Sequence, residues 1–219
     1  MGKSFAVYVK DLRLELRTRN ALNAILMFGV TTLTVVSFSL GQSNLSPKLW
    51  AALFWVIIFF SAMSGLAQTF IREEETGTSL ALRLTADPDS VYIGKLVFNL
   101  TLLSTLAIII TPLFFIFTDA PTGNILNFIL VLILGVLGLC SATTIVAAII
   151  AKASVKGALF AVLSFPILIT LLMILVGATE KLFDGKMLAD ILTELQFLVA
   201  YVVIMVTASF LLFKFVWEE

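Results

Sequence analysis

The sequence predicts an all-α polytopic membrane protein with six transmembrane helices, and three observations predict it. Of 219 residues, 60% are hydrophobic and only 13% charged, with a mean hydropathy of +1.11. Soluble domains run at roughly 45–50% apolar and about 25% charged, so this chain lacks the polar residues to cover a water-facing surface. Six apolar stretches reach the about 20 residues that a helix needs to cross a bilayer: about 20–40, 50–70, 94–117, 125–151, 158–177 and 195–216. Between them lies turn chemistry, and inside lipid a single segment satisfies its own backbone only as a helix. Residues 1–219 read as one transmembrane domain.

Taken in order, residues 1–19 read as an amphipathic interfacial helix. Phe5, Tyr8, Val9, Leu12 and Leu16 fall on one side, with Lys10, Arg13 and Arg17 on another. The first span is too long for a signal-peptide core and is read as retained. Gly41-Gln42-Ser43-Asn44 with Pro47 ends it, and the second span leads into a charged loop over 71–90. Asp87-Pro88 is an N-cap and first-turn pair for the third span. Asp119 to Asn124 separates the third from the fourth, and Lys152 to Gly157 the fourth from the fifth. After Gly185, the residues Leu188, Ile191, Leu192 and Leu195 share a face, which suggests a short outer-face helix, or a re-entrant one, before the last span. Ser61-xxx-Gly65, Gly138-xxx-Ala142 and Ala147-xxx-Ala151 let helices approach closely. Pro112 and Pro166 interrupt the third and fifth spans and are candidate kinks or gates.

Orientation follows from Lys and Arg. Eleven of the fourteen flank one side (the N-terminal tail, the second and fourth loops and the C-terminal end), against Lys48, Lys181 and Lys186 on the other. Both termini are therefore expected in the cytoplasm.

The absences exclude whole classes. There is no histidine and a single cysteine, Cys140, which reads as a packing residue. No Gly-x-x-x-x-Gly-Lys-[Ser/Thr] run exists, so the chain has no P-loop of its own. A net charge of zero argues against nucleic acid. We expect no catalytic residues, no metal and no directly bound cofactor. The middle third of every span is free of ionisable groups, which disfavours a proton-driven carrier. Lys95 and Lys214, near span ends, are expected to snorkel. Gln68, Asn99, Thr101, Thr143 and Thr144 read as polar glue between helices.

The informative segment is the second loop, Phe70 to Pro88, which with Asp89 holds five of the fourteen acidic residues. Gly77 offers a hinge, and Leu80 and Leu84 stand one turn apart beside Arg83, so a short helix would present an apolar ridge with a charged edge. A loop with only solvating duty has no use for Leu80, Leu82 and Leu84 together. We therefore expect a docking site for a cytoplasmic protein.

Arg72-Glu-Glu-Glu-Thr-Gly-Thr, Leu82-Arg-Leu-Thr-Ala-Asp-Pro and Gly94-Lys95-Leu96-Val-Phe98-Asn99 resemble the heme exporter protein B (CcmB) family. So do Lys10-Asp11-Leu12-Arg13-Leu14-Glu15-Leu16-Arg17-Thr18-Arg19 and Phe38-Ser39-Leu40-Gly41. The resemblance implies a permease subunit, ABC-2-like (type II exporter-like), in cytochrome c maturation in the bacterial inner membrane. It implies work with a CcmA-like ABC ATPase that uses the ATP, CcmC- and CcmD-like membrane proteins and a CcmE-like haem chaperone, haem being handled by the complex. A second copy would complete a permease of twice six helices.

In such permeases the second loop carries the coupling helix. Arg72, Glu73, Glu74, Glu75, Thr76 and Arg83 would supply the polar contacts and Leu80 and Leu84 the apolar ones, with Gly77 and Asp87 bounding the helix. An ABC-2 permease for a lipid or drug, a membrane assembly scaffold, and a carrier working alone are the competing readings.

Overall fold

In the computed structural model, residues 2–40, 45–66, 68–151 and 156–218 are described. Among them the chain forms nine α-helices and one 3-10 turn. The turn at Gly41 to Asn44 and most of the Lys152 to Gly157 connection lie outside the described residues.

Helix α1 (Gly2–Thr18) is followed at once by α2 (Asn20–Leu40), and then come α3 (Pro47–Gly65), α4 (Gln68–Glu75) and α5 (Ser79–Thr85). Next are α6 (Pro88–Thr118), α7 (Ile125–Ile150) and α8 (Lys156–Phe183), with the 3-10 turn Leu188–Ile191 running into α9 (Leu192–Glu218). Among the described residues, six helical segments are long and apolar enough to cross a membrane. The protein is thus an all-helical, polytopic membrane protein.

Helix α3 is the most enclosed of the spans. Phe54 and Trp55 are completely buried, and the Trp55 Nε1–H donates to Thr179 Oγ1 of α8 at 2.8 Å. Small residues let its neighbours close in: the α2–α3 crossing uses Ser61 and Gly65. At the far end Phe54, Phe114, Phe115, Phe128 and Phe183 form a cluster with ring centroids 5.2–6.0 Å apart. Helices α2 and α9 leave wide apolar surfaces uncovered, with Phe38 85% and Phe215 70% exposed. In a bilayer, lipid meets such faces.

Pro112 and Pro166 both sit inside unbroken helical runs and on the outside of the bundle. Of the apolar set in the outer segment, Ile191 and Leu195 are buried, whereas Leu188 and Leu192 are exposed. Its 3-10 turn is pinned by Lys181, which reaches Asp190 O at 2.9 Å and the Glu194 carboxylate at 2.7 Å. Both ends of the chain share one face of the bundle with α4 and α5: Lys3 pairs with Asp87 at 3.3 Å, and Arg83 lies over Trp217.

The interfacial helix α1 turns to the protein a row that is not its apolar side. Val7, Asp11 and Glu15, spaced i, i+4, i+8, are its buried residues. Phe5 and Leu16 point away, 65% and 61% exposed, while Tyr8, Val9 and Leu12 are half-buried. The reason is that α6 offers α1 a glycine and a cation. A Cβ on Gly94 would lie 2.7 Å from Val7 Cβ and 2.8 Å from Ser4 O, so only glycine permits this approach. One residue on, Lys95 meets Asp11.

Candidate functional site

The second loop is built as a helix–turn–helix. Helix α4 ends at Glu75, and Gly77 turns the chain in the left-handed region, at φ +68°, where a side chain is disfavoured. Thr78 N donates to Glu73 O at 3.0 Å and Thr78 Oγ1 to Glu73 Oε2 at 2.6 Å, closing the turn. Ser79 Oγ, the first residue of α5, donates to Glu74 Oε2 at 2.9 Å. These bonds fix α5 so that Leu80 and Leu84 stand outward, 68% and 84% exposed, while Ser79 is buried and Leu82 and Arg83 are half-buried. Asp87 occupies the N-cap position before Pro88, but its carboxylate makes no cap bond and pairs with Lys3 instead.

Four of the expected polar contacts are spent inside the protein. Glu73 is only 7% exposed and lies in a ring of alternating charge with Lys10, Asp11 and Lys95. Lys95, completely buried, uses all three of its N–H donors: Asp11 Oδ2 at 3.1 Å, Glu73 Oε1 at 3.1 Å and Thr69 O at 2.9 Å. Lys10 closes the ring, pairing with Asp11 at 3.1 Å and with Glu73. Lys95 therefore does not snorkel. It is held where a buried cation must be, among carboxylates. Glu74 is engaged by Ser79, and Arg83 lies 5.2 Å from the Trp217 ring centroid. Arg72 Nη1 reaches Thr18 Oγ1 of α1 at 3.3 Å. Glu75, Thr76, Gly77, Leu80, Leu84 and Asp87 keep exposed surface.

A cleft of about 720 Å³ separates α1 from α4 and α5, and the ring lies along it, so Lys10, Asp11 and Glu73 are among its lining residues. Glu15, also lining the cleft, accepts from Leu22 N at 2.8 Å and so caps the start of α2. Behind α4, Thr69 and Asn99 share a hydrogen bond, and Asn99 Nδ2 donates to Thr144 Oγ1 at 2.9 Å, which ties α4 to α6 and α7. Asn99 and Thr144 are the polar glue the composition suggests.

Burial by itself would raise the Glu73 carboxyl. The Lys95 charge, with hydrogen bonds from Lys10 and Thr78, outweighs it and holds the group at about 2 against an ordinary 4.5. Burial would lower the Lys10 ammonium, but Asp11 and Glu73 hold it above its usual value. A carboxyl with a depressed folded value adds stability above its unfolded value and loses it as pH falls through the folded one. The tie between α1 and α4 is accordingly expected to hold above pH 4.5 and to fail progressively between 4.5 and about 2. A spin-label distance between α1 and α4 in nanodiscs checks this, lengthening only in that acid window. An unchanged distance at pH 2.5 would sink it.

The ring escaped sequence reasoning because its partners lie 63 and 84 positions apart. A signal did exist: Asp11 and Glu15 continue the Val7 row, and acids there are misplaced unless cations meet them. Compared with known proteins, residues 3–215 match the family model described as CcmB protein. No curated protein matches.

Proposed function

Because the chain belongs to the CcmB family, we propose that it is the permease subunit of an ABC-type complex that handles haem in cytochrome c maturation. It lies in the bacterial inner membrane with both termini in the cytoplasm, where the excess of Lys and Arg would hold them. A separate CcmA-like ATPase supplies the work, CcmC- and CcmD-like proteins are its membrane neighbours, and a haem-loaded, CcmE-like chaperone is what the cycle releases. The subunit itself performs no catalysis.

One observation carries this reading. Helix α5 projects Leu80 and Leu84 away from the bundle, on the face shared by both chain ends and outside the segments long and apolar enough to cross a membrane. Apolar side chains held out by so many fixed bonds suit a protein partner's pocket. ATP-driven closure of the ATPase would push on α5 and, through α4 and the Asp87-Pro88 start of α6, tilt the spans.

Leu80→Asp with Leu84→Asp is expected to release the ATPase, since truncating apolar anchors at an interface centre typically costs about 2 kcal/mol or more, roughly thirtyfold or more in affinity. Both side chains lie outside the core, so the bundle should remain folded. Co-purification of the ATPase from detergent extracts is the measurement, and undiminished retention would refute the docking claim. Glu73, by contrast, reports on the ring and not on the interface.

A further inference from the structure

Helix α5 is joined to the rest of the chain through more than its two flanking turns. On its inner side, Arg83 lies over the Trp217 indole of α9 with 5.2 Å from guanidinium carbon to ring centroid. Its Nε is buried with no hydrogen-bond partner among the described residues, so the ring face is what receives this part of the cation. Trp217 in turn stacks on Phe213 at 5.4 Å and 23°, and Phe213 meets Phe70 of α4 at 5.6 Å and Tyr92 of α6 at 5.2 Å. The result is an aromatic node where α4, α6 and α9 converge, against which α5 packs Leu82 and to which it is strapped by the charged side chain of Arg83. Trp217 is 8% exposed and lies just beyond the stretch matched by the family model.

We propose that Trp217, with Arg83 stacked upon it, is a positioning residue that ties the coupling helix α5 to the last span α9. Movement of α5 is thereby passed to α9 as well as to its chain neighbours α4 and α6. Arg83 and Trp217 lie 134 positions apart in the sequence, and this contact, beside the packing of Leu82 against the same cluster, gives α5 a direct hold on α9. The proposal rests on α5 being the element that the ATPase grips.

Two measurements test it separately. The first needs no partner. In nanodiscs, Trp217→Ala is expected to speed hydrogen exchange at amides 83–86 about tenfold, the loss expected of a partly desolvated cation–π contact. Trp217→Phe, which keeps an aromatic face, should restore most of the protection. Unchanged exchange in Trp217→Ala would overturn the strap.

The second uses the complex with the ATPase, carrying a fluorophore on Gln196→Cys, at the exposed far end of α9. In Trp217→Ala the ATPase should still co-purify while the ATP-dependent fluorescence change disappears, and Trp217→Phe should regain it. An intact ATP response in Trp217→Ala would overturn transmission through α9. Failure of the unaltered chain to retain any ATPase would instead defeat the docking reading, and the exchange measurement would still decide the strap.

Discussion

Replacing Lys95 with Met is expected to cost about 3–5 kcal/mol, because it removes one of two cations from a buried ring and leaves a carboxylate uncompensated. The ring holds two carboxylates, Asp11 and Glu73, against two lysines, and Lys95 donates one hydrogen bond to each carboxylate and a third to Thr69 O outside the ring. Met retains most of the volume, so packing loss is a minor part of the effect. The measurement is the midpoint of SDS-driven unfolding in mixed micelles. A second variant separates charge from shape: Lys95→Met with Asp11→Asn leaves Lys10 facing Glu73, a balanced pair, and should recover at least half of the loss. A single variant within about 1 kcal/mol of the parent would show that the ring contributes little.

The second large effect belongs to Gly94. Its missing Cβ is what lets α1 lie on α6, with Val7 Cβ and the Ser4 carbonyl where a side chain would be. Neither can move without its backbone, so Gly94→Val must lift α1 away, an overpacking cost of about 1–3 kcal/mol with loss of the Asp11–Lys95 bond added to it. The six spans need not change. Faster tryptic cleavage at Arg13 and Arg17 than in the parent is the expected result, and an unaltered digestion rate would contradict the observed seat of α1.

What sequence could and could not tell divides along a physical line. The spans were legible because lipid imposes one rule on every residue of a segment, so hydropathy summed over about 20 residues suffices. The short helix α5 and its outward leucines were legible for a similar reason: spacing of i, i+4 is a local property. Its start after Gly77, and that of α6 at Pro88, are likewise written in single residues with restricted backbones. Glu73, Glu74, Glu75, Arg72 and Arg83 form a charged run, and a run looks solvated. Which members are buried depends on cations and rings brought from elsewhere: Lys10 and Lys95 for Glu73, Trp217 for Arg83. No pattern within the loop encodes that. For the interfacial helix, the apolar face was legible but the acidic row that packs on the protein was not, because its cations come from elsewhere in the chain.

The closed ring of Lys10, Asp11, Glu73 and Lys95 has a further consequence for how the protein is driven. Its formal charges cancel, so the four side chains of the ring together feel almost no net force from the membrane voltage, whereas a lone lysine would feel about 2.3 kcal/mol per 100 mV for a full crossing. On the proposed coupling to an ATPase, movement of this part of the protein would depend on nucleotide and not on the membrane voltage.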